Sequence, residues 1–425
     1  MAASAFRSLR AKTQASIDDA TSLAKNSVSS VLGSKSASKG PTEEEIATKK
    51  ARLTIPKRDT DRPLRILSLD GGGVRGYSAL LILDDFMARI QEIEGTEEIL
   101  PADYFDLIIG TSTGGIMALM LGRLRMTVKE CLEAYRNLAR EVFSGGIISS
   151  TFNAATTMLL EGGPSIYNED SLEKSVKATV KKWAAGDNEN ALLLEPSPDA
   201  CRAAIVTALS ADATRPVLMR SYTPGDPKLK EIKIWEAARA TSAAPIFFKP
   251  IHVTPEKISY IDGAVSGNSN PSLLAIEEAE KLWPNRKIGL FLSLGTGSPS
   301  QVALQGQVHQ LVQALANLST NTIHVHEKAV LWFQQHCIPT SPYVRFTVEN
   351  QIEKVRLDDH SSLPRIAQET AAYLQKVAGK QEMEKCIQLA LATKLSLELG
   401  KEKEAASTGE PLVPPPPAYE PQASH

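Results

Sequence analysis

The stretch Phe105-Asp-Leu-Ile-Ile-Gly-Thr-Ser-Thr-Gly-Gly-Ile-Met-Ala-Leu-Met-Leu-Gly-Arg123 contains the strongest structural signal in this chain of 425 residues. Residues 105–109, which are apolar except for Asp106, are typical of a buried strand. Residues 115–123 are apolar on nearly all sides, which is typical of a buried helix. The glycines, threonines and serine between them favour a strand, a turn and a helix over a single membrane span.

Similar signals recur along the chain, with short apolar strands alternating with helical periodicity. Alternation of this kind predicts an α/β fold, in which a mostly parallel central sheet is flanked by helices on both faces. Residues 364–399 add a helical C-terminal segment that ends near Gly400. The remaining elements are predicted as strands at 65–70, 203–209, 258–261 and 288–294, and as a helix at 77–94.

Composition divides the chain into four parts. Residues 1–55 are expected to form a disordered or weakly amphipathic segment, whose first 38 residues include ten serines. Within that segment, Ile17, Ala20, Ala24, Val28 and Val31 could line one face of a basic helix that docks on anionic lipid. We expect one catalytic domain over residues 60–375, a helix over 376–400 and a disordered Pro-rich tail over 401–425.

The overall charge and the cysteines exclude several classes of protein. The chain has 47 Lys and Arg against 49 Asp and Glu, so it lacks the basic excess of a nucleic-acid binder. Its four cysteines form no CxxC pair and no metal-ligand spacing with histidine. The N-terminus has no apolar stretch after a basic one. We therefore expect a soluble cytoplasmic protein that contacts membranes only peripherally.

A glycine-rich loop, Asp70-Gly-Gly-Gly-Val-Arg-Gly76, connects the first predicted strand to a helix. Glycines allow close approach of the backbone, and the helix start offers unpaired N–H groups to an anion. A dinucleotide site matches G-x-G-x-x-G formally, an oxyanion hole needs the same donors, and a glycine turn without any ligand also fits. A P-loop is excluded because Tyr77 stands where it requires lysine.

The turn in the opening stretch, Gly110-Thr-Ser-Thr-Gly114, is a G-x-S-x-G pattern between a strand and a helix. In this context the pattern predicts a nucleophile elbow, with Ser112 exposed on a strained turn and with Gly110 and Gly114 keeping the turn uncrowded. Such a serine needs a proton acceptor.

Two schemes could supply that acceptor. In a Ser–Asp–His triad, the chain order allows Asp262 and His360. In a Ser–Asp dyad, Asp262 would take the proton directly. Asp262 ends a predicted strand and begins the glycine-containing sequence Asp262-Gly263-Ala264, so it could lie at the same end of the sheet as Ser112.

Together and in this order, the three motifs resemble the patatin-like phospholipase family, including calcium-independent phospholipases A2, and the whole chain is most similar to fungal patatin-domain proteins. The resemblance implies Ser112 as nucleophile and Asp262 as proton acceptor of a dyad, with no metal ion and no cofactor. It also implies oxyanion N–H groups from Gly72 and Gly73, with neighbours Gly71 and Gly76. Arg75 would either bind a lipid phosphate or pin the loop by an ion pair.

The implied function is a lipid acyl hydrolase of the phospholipase A, lysophospholipase or lipase type. An acyltransferase using the same acyl-enzyme, a nucleotide-binding oxidoreductase and a non-catalytic interaction protein are the alternatives. The implied partners are a lipid acyl ester and, transiently, a membrane or lipid-droplet surface. Phe247, Phe248 and residues 158–160 either line an acyl channel or belong to the core. The tail sequence Pro-Pro-Ala-Tyr, which includes Pro416, Pro417 and Tyr419, would suit a WW domain.

Overall fold

The computed structural model describes residues 52–408, apart from 97, 145–166, 224–228, 246, 254–256, 298–321, 338 and 350–351, and describes side chains as far as Thr393. The predictions for residues 1–51, for residues 158–160 and for the tail with Pro416, Pro417 and Tyr419 therefore lie outside the described residues.

One mixed sheet organises the described residues. In the order β3-β2-β1-β7-β8 its central strands are all parallel, whereas β4 and β6 pair antiparallel with β3, and β5 pairs antiparallel with β6. The predicted mostly parallel sheet is confirmed. The strands are β1 (Leu64–Leu69), β2 (Leu107–Thr111), β3 (Arg202–Leu209), β4 (Asp212–Arg220), β5 (Ile251–Val253), β6 (Ile258–Asp262), β7 (Ile288–Leu294) and β8 (Tyr343–Phe346).

Helices cover both faces of this sheet, as predicted. Alternate residues of the central strands enter different cores: Leu67, Leu69 and Ile108 belong to one hydrophobic cluster, and Ile66 and Ile109 to the other. The helices are α1 (Gly76–Glu94), α2 (Pro101–Tyr104), α3 (Thr113–Ala118), α4 (Val128–Phe143), α5 (Glu169–Trp183), α6 (Ile234–Thr241), α7 (Ser272–Leu282), α8 (Ile323–His336), α9 (Leu363–Gln375) and α10 (Val377–Thr408).

The two cores differ in their helical partners. Helices α1, α4, α5, α9 and α10 contribute buried side chains to the cluster that contains Leu67, whereas α7 and α8 contribute to the cluster that contains Ile66. Helix α3 continues as a π-helical turn, Leu119–Arg123. No helix in the described part of the chain combines the length and the apolar character that a membrane span requires.

Several elements differ from their predictions. The helix predicted at 364–399 is two helices, because Lys376 takes an extended conformation (φ −70°, ψ 159°) between α9 and α10. Helix α10 also runs past Gly400 to Thr408, eight residues into the predicted tail. Strands β4, β5 and β8 were not predicted. Strand β4 contains Pro216 and exposed polar residues, and β5 and β8 have only three and four residues, so none of them has a clear apolar pattern.

The residues that precede β1 are anchored by polar contacts. Arg58 donates to the carbonyls of Ala102 at 2.5 Å and Phe105 at 3.0 Å. Arg62 makes two hydrogen bonds to the buried carboxylate of Asp106, at 2.8 and 2.9 Å. This carboxylate also accepts from the Arg65 N–H at 2.8 Å. Packing therefore begins before residue 60, where apolar periodicity gives no signal.

Candidate active site

The strand register brings Ser112 and Asp262 together. Strand β2 ends at Thr111, opposite Val206 of β3. Strand β6 ends at Asp262, opposite Thr207, the next residue of β3. Because β4 occupies the other edge of β3 along these residues, β2 and β6 lie on the same edge. The residue that follows β2 is Ser112, so its side chain meets the last residue of β6.

The turn at Ser112 has a strained backbone, and its neighbouring glycines lie in close contact with other backbone atoms. Ser112 has φ 56° and ψ −127°, a conformation that L-residues rarely adopt, and it is half-buried. A Cβ at Gly110 would lie 2.0 Å from the Gly114 carbonyl oxygen, and a Cβ at Gly114 would lie 2.3 Å from the Leu69 carbonyl oxygen. The Ser112 N–H donates to Thr241 Oγ1 at 2.8 Å, which ties the turn to α6.

Asp262 is only 1 % exposed, and its environment sets its basicity. Burial raises the pKa of its carboxyl from 3.8 to about 7, opposed by hydrogen bonds from the Ser112 hydroxyl and the Ala264 N–H. The Ala264 N–H lies 2.8 Å from Asp262 Oδ1. A Cβ at Gly263 would lie 2.6 Å from the Val206 carbonyl oxygen, which explains the glycine. The carboxylate is therefore bonded to the serine and has a basicity suited to neutral pH.

The glycine loop lies against this pair, and an added Cβ at Gly71 would lie 3.1 Å from Ser112 Cβ. The N–H of Gly71 donates to the Ser269 carbonyl at 2.9 Å, and the N–H of Gly76 donates to the carbonyls of Gly73 and Val74. Both N–H groups are therefore already bonded within the protein, and the expected role of Gly71 and Gly76 as oxyanion donors stays a prediction. The N–H groups of Gly72 and Gly73 have no acceptor among the described residues.

Arg75 connects the glycine loop to the segment 353–357 through hydrogen bonds. The side chain is 6 % exposed, and its guanidinium donates to the carbonyls of Val355 at 2.7 Å and Glu353 at 2.8 Å. The Val74 N–H donates to the Leu357 carbonyl at 2.8 Å in the same segment. Of the two expected roles, this geometry favours pinning the loop, through backbone carbonyls in place of the expected ion pair.

His360 takes no part in this arrangement. Its Nε2 lies 3.5 Å from Ser144 Oγ in an exposed contact, whereas the Ser112 hydroxyl bonds to Asp262. Phe247 stacks on Tyr167 with ring centroids 6.0 Å apart, and Phe248 is 6 % exposed, as expected of core aromatics. Among the described residues, no three His, Cys, Asp or Glu side chains form a group that could hold a metal ion.

Comparison with known families matches the part of the chain that contains these site residues. The model of the patatin-like phospholipase family matches residues 67–276, which include the glycine loop, Ser112 and Asp262. This part of the chain belongs to the patatin-like phospholipase family. The family that the motifs resembled is therefore confirmed.

Curated relatives come from animals, plants and bacteria. Mouse (Mus musculus) calcium-independent phospholipase A2-gamma is 30 % identical over 352 residues, which are 79 % of this chain and 41 % of that protein. Patatin-17 of Solanum cardiophyllum is 27 % identical over 56 % of this chain and 61 % of its own. The cGAMP-activated phospholipase of Vibrio cholerae is 32 % identical over 51 % and 57 %. This chain thus spans less than half the length of the mouse relative.

One solved structure matches this chain only distantly. The crystal structure of VipD from Legionella pneumophila has a TM-score of 0.32 and 12 % identity, over 84 % of this chain and 80 % of that chain. A likeness this weak does not bear on the fold.

Four further side chains support the site and were not predicted. Thr241 accepts from Ser112 N–H and donates to the Val206 carbonyl at 2.7 Å. Tyr135 donates to the Gly73 carbonyl. Thr296 donates to the Gly71 carbonyl at 2.8 Å, and Arg345 pairs with Asp70. Only Thr296 lies near a glycine pattern, Ser293-Leu-Gly-Thr-Gly297, that could have indicated it.

Proposed function

We propose that this protein is a lipid acyl hydrolase in which Ser112 is the nucleophile and Asp262 is the general base. The observation that supports the proposal is the hydrogen bond between the Ser112 hydroxyl and a buried carboxyl whose pKa is about 7. A carboxylate of ordinary basicity would accept the serine proton poorly, so the raised pKa favours direct proton transfer without histidine.

The reaction proceeds through an acyl-enzyme. Ser112 Oγ attacks the ester carbonyl carbon while Asp262 takes the hydroxyl proton. The carbonyl oxygen becomes negative and accepts hydrogen bonds from the N–H groups of Gly72 and Gly73. Collapse of the intermediate breaks the ester C–O bond, and Asp262 returns the proton to the leaving alcohol. Water then repeats the sequence and releases the fatty acid.

The oxyanion donors are backbone groups held in place before the reaction. One such donor typically contributes about 100- to 1000-fold to kcat. The start of α3, immediately after Ser112, adds a positive dipole end near the developing charge. The glycine loop after β1, the start of α3 and Asp262 at the end of β6 thus act on a single carbonyl group.

Lipid esters are the substrate class that we propose, because the mouse and bacterial relatives are named phospholipases. The acyl chain would lie beside Ser112, which is half-buried at the edge of the sheet. Reaching such a substrate requires transient contact with a membrane or lipid-droplet surface, so we also propose a cytoplasmic protein that binds membranes peripherally.

The experiment compares fluorophosphonate labelling and hydrolysis of a soluble nitrophenyl ester and of phosphatidylcholine vesicles. We expect Ser112→Ala to abolish labelling, and Asp262→Asn to lower hydrolysis by at least about 1000-fold. His360→Ala is the matched control and should retain both. If Ser112→Ala still hydrolyses the esters, or if folded His360→Ala loses labelling, the dyad is wrong. Hydrolysis of the nitrophenyl ester without any lipid ester would contradict the substrate class alone.

For the chain as a whole, we propose the four parts given by composition, with the catalytic domain over 60–375. For the tail, we propose that Pro416, Pro417 and Tyr419 bind a WW domain, which the Pro-Pro-Ala-Tyr sequence supports. Capture of the full chain by an isolated WW domain should be lost in Tyr419→Ala. Equal capture of the variant would contradict this role.

A further inference from the structure

The orientation of the two candidate oxyanion donors depends on the carbonyl groups that share their peptide units. In a trans peptide, the C=O of one residue and the N–H of the next point in opposite directions. The Gly72 N–H therefore belongs to the unit that carries the Gly71 carbonyl. The Gly73 N–H belongs to the unit that carries the Gly72 carbonyl. Whatever holds each carbonyl also holds the donor.

These two carbonyls are held by different kinds of group. The Gly72 carbonyl accepts from the backbone N–H of Arg75 at 3.1 Å, within the turn that follows. The Gly71 carbonyl accepts from the Thr296 hydroxyl at 2.8 Å, with a second, longer contact of 3.4 Å from Ser269 Oγ. The Gly73 donor is thus fixed by local backbone, whereas the Gly72 donor depends on a side chain 225 residues away.

Thr296 is built into this position. It is 3 % exposed and comes two residues after β7, where the Gly295 N–H donates to the Phe346 carbonyl at 2.7 Å. A Cβ at Gly72 would lie 2.2 Å from Thr296 Oγ1, so the loop packs directly on this hydroxyl. Its proton goes to the Gly71 oxygen, and the peptide N–H points away from Thr296.

We propose that Thr296 is a positioning residue for the oxyanion hole: its hydroxyl holds the Gly71–Gly72 peptide so that the Gly72 N–H faces the reacting carbonyl. This inference rests on the proposed Ser112–Asp262 hydrolase. Thr296 does not touch the substrate. Its removal lets that peptide rotate, which weakens one of the two donors in the transition state and leaves binding of the ground-state ester unchanged.

The test uses the full chain and the soluble nitrophenyl ester. Thr296→Ser keeps the hydroxyl, Thr296→Val replaces it with a methyl group, and Thr296→Ala removes it without adding volume. Thr347→Val is the matched control, because the buried Thr347 hydroxyl has no hydrogen-bond partner among the residues that the structure describes. Each variant is measured for kcat, KM, thermal unfolding and affinity for an aliphatic trifluoromethyl ketone. The serine adds to this ketone to give an oxyanion in the same hole.

We expect Thr296→Val and Thr296→Ala to lower kcat by at least about tenfold, with KM within about twofold of wild type. Affinity for the ketone should fall in parallel. Thr296→Ser should restore most of kcat, and Thr347→Val should match wild type. Measuring both Thr296→Ala and Thr296→Val keeps the test decisive if one variant does not fold.

The proposal is overturned if folded Thr296→Ala keeps the kcat of Thr296→Ser, or if kcat falls while ketone affinity does not. It is also overturned if Thr347→Val falls equally, since that would reflect packing. Activity that survives Ser112→Ala would instead refute the hydrolase on which the inference rests, so the two failures are distinguishable.

Discussion

Arg345 Nη2 lies 2.5 Å from Asp70 Oδ2, in an ion pair whose side chains are 5 % and 0 % exposed. Asp70 immediately precedes the three glycines of the loop. Arg345 also donates to Ser293 Oγ at 2.6 Å and to Thr322 Oγ1 at 2.9 Å. The guanidinium therefore joins β8, the end of β7 and the start of α8 to Asp70, the residue that precedes the glycine loop.

Removing Arg345 should leave a buried carboxylate without its cation. We expect Arg345→Met to lower the free energy of unfolding by about 3–5 kcal/mol, as for other buried pairs broken on one side. The double variant Asp70→Asn/Arg345→Met should recover part of this loss. Urea unfolding measures both. Arg356→Met is the control, because its pair with Asp358 leaves the Arg356 side chain 78 % exposed and should contribute less than about 1 kcal/mol. Equal losses in the two single variants would contradict the prediction.

The Arg345–Asp70 pair marks a limit of what the sequence predicts. Local apolar runs predict strands β1, β2, β3, β6 and β7. The short glycine-containing motifs predict the family. Asp70 and Arg345 are 275 residues apart, and neither stands in a sequence context that indicates a partner. The same holds for Thr241, which supports Ser112 from 129 residues away. Short polar contacts between distant segments have no periodicity, so the support of the site becomes visible only in the fold.

Because Arg75 binds backbone carbonyls, we expect its removal to lower activity by the same factor on different ester substrates. The guanidinium fixes the glycine loop against the segment 353–357. Arg75→Met should therefore lower kcat/KM by about 10- to 100-fold on a neutral nitrophenyl ester. The same factor should apply to phosphatidylcholine. Arg89→Met is the control, since Arg89 pairs with Asp85 on the surface of α1. A loss confined to the phospholipid would show instead that Arg75 binds the lipid phosphate.

The raised pKa of Asp262 predicts how activity depends on pH. The general base must be ionised, and burial raises the pKa of this carboxyl to about 7. We expect kcat/KM for a neutral ester to be low at pH 5 and to rise with pH, with an apparent pKa of about 7. Activity assayed at pH 8 after incubation at each pH controls for unfolding. A profile that is flat down to pH 5 would mean that Asp262 ionises at its ordinary pKa or is not the base.

The same carboxyl predicts how stability depends on pH. Its pKa rises on folding, from 3.8 to about 7, so the folded state holds the proton more tightly. The resulting stabilisation is complete below pH 3.8 and is lost as pH rises through about 7. The full change corresponds to at most about 4 kcal/mol. Asn at this position does not titrate, so Asp262→Asn should gain stability relative to wild type between pH 5 and pH 8.

Urea unfolding of both proteins at pH 5 and pH 8 measures this difference. Asp212→Asn is the control: hydrogen bonds from the Thr214 side chain and backbone lower the pKa of the Asp212 carboxyl, so its titration lies below this range. The Asp212→Asn difference from wild type should therefore be the same at both pH values. If the Asp262→Asn difference is also the same at both, Asp262 is ionised throughout, and burial does not give it the basicity that the dyad requires.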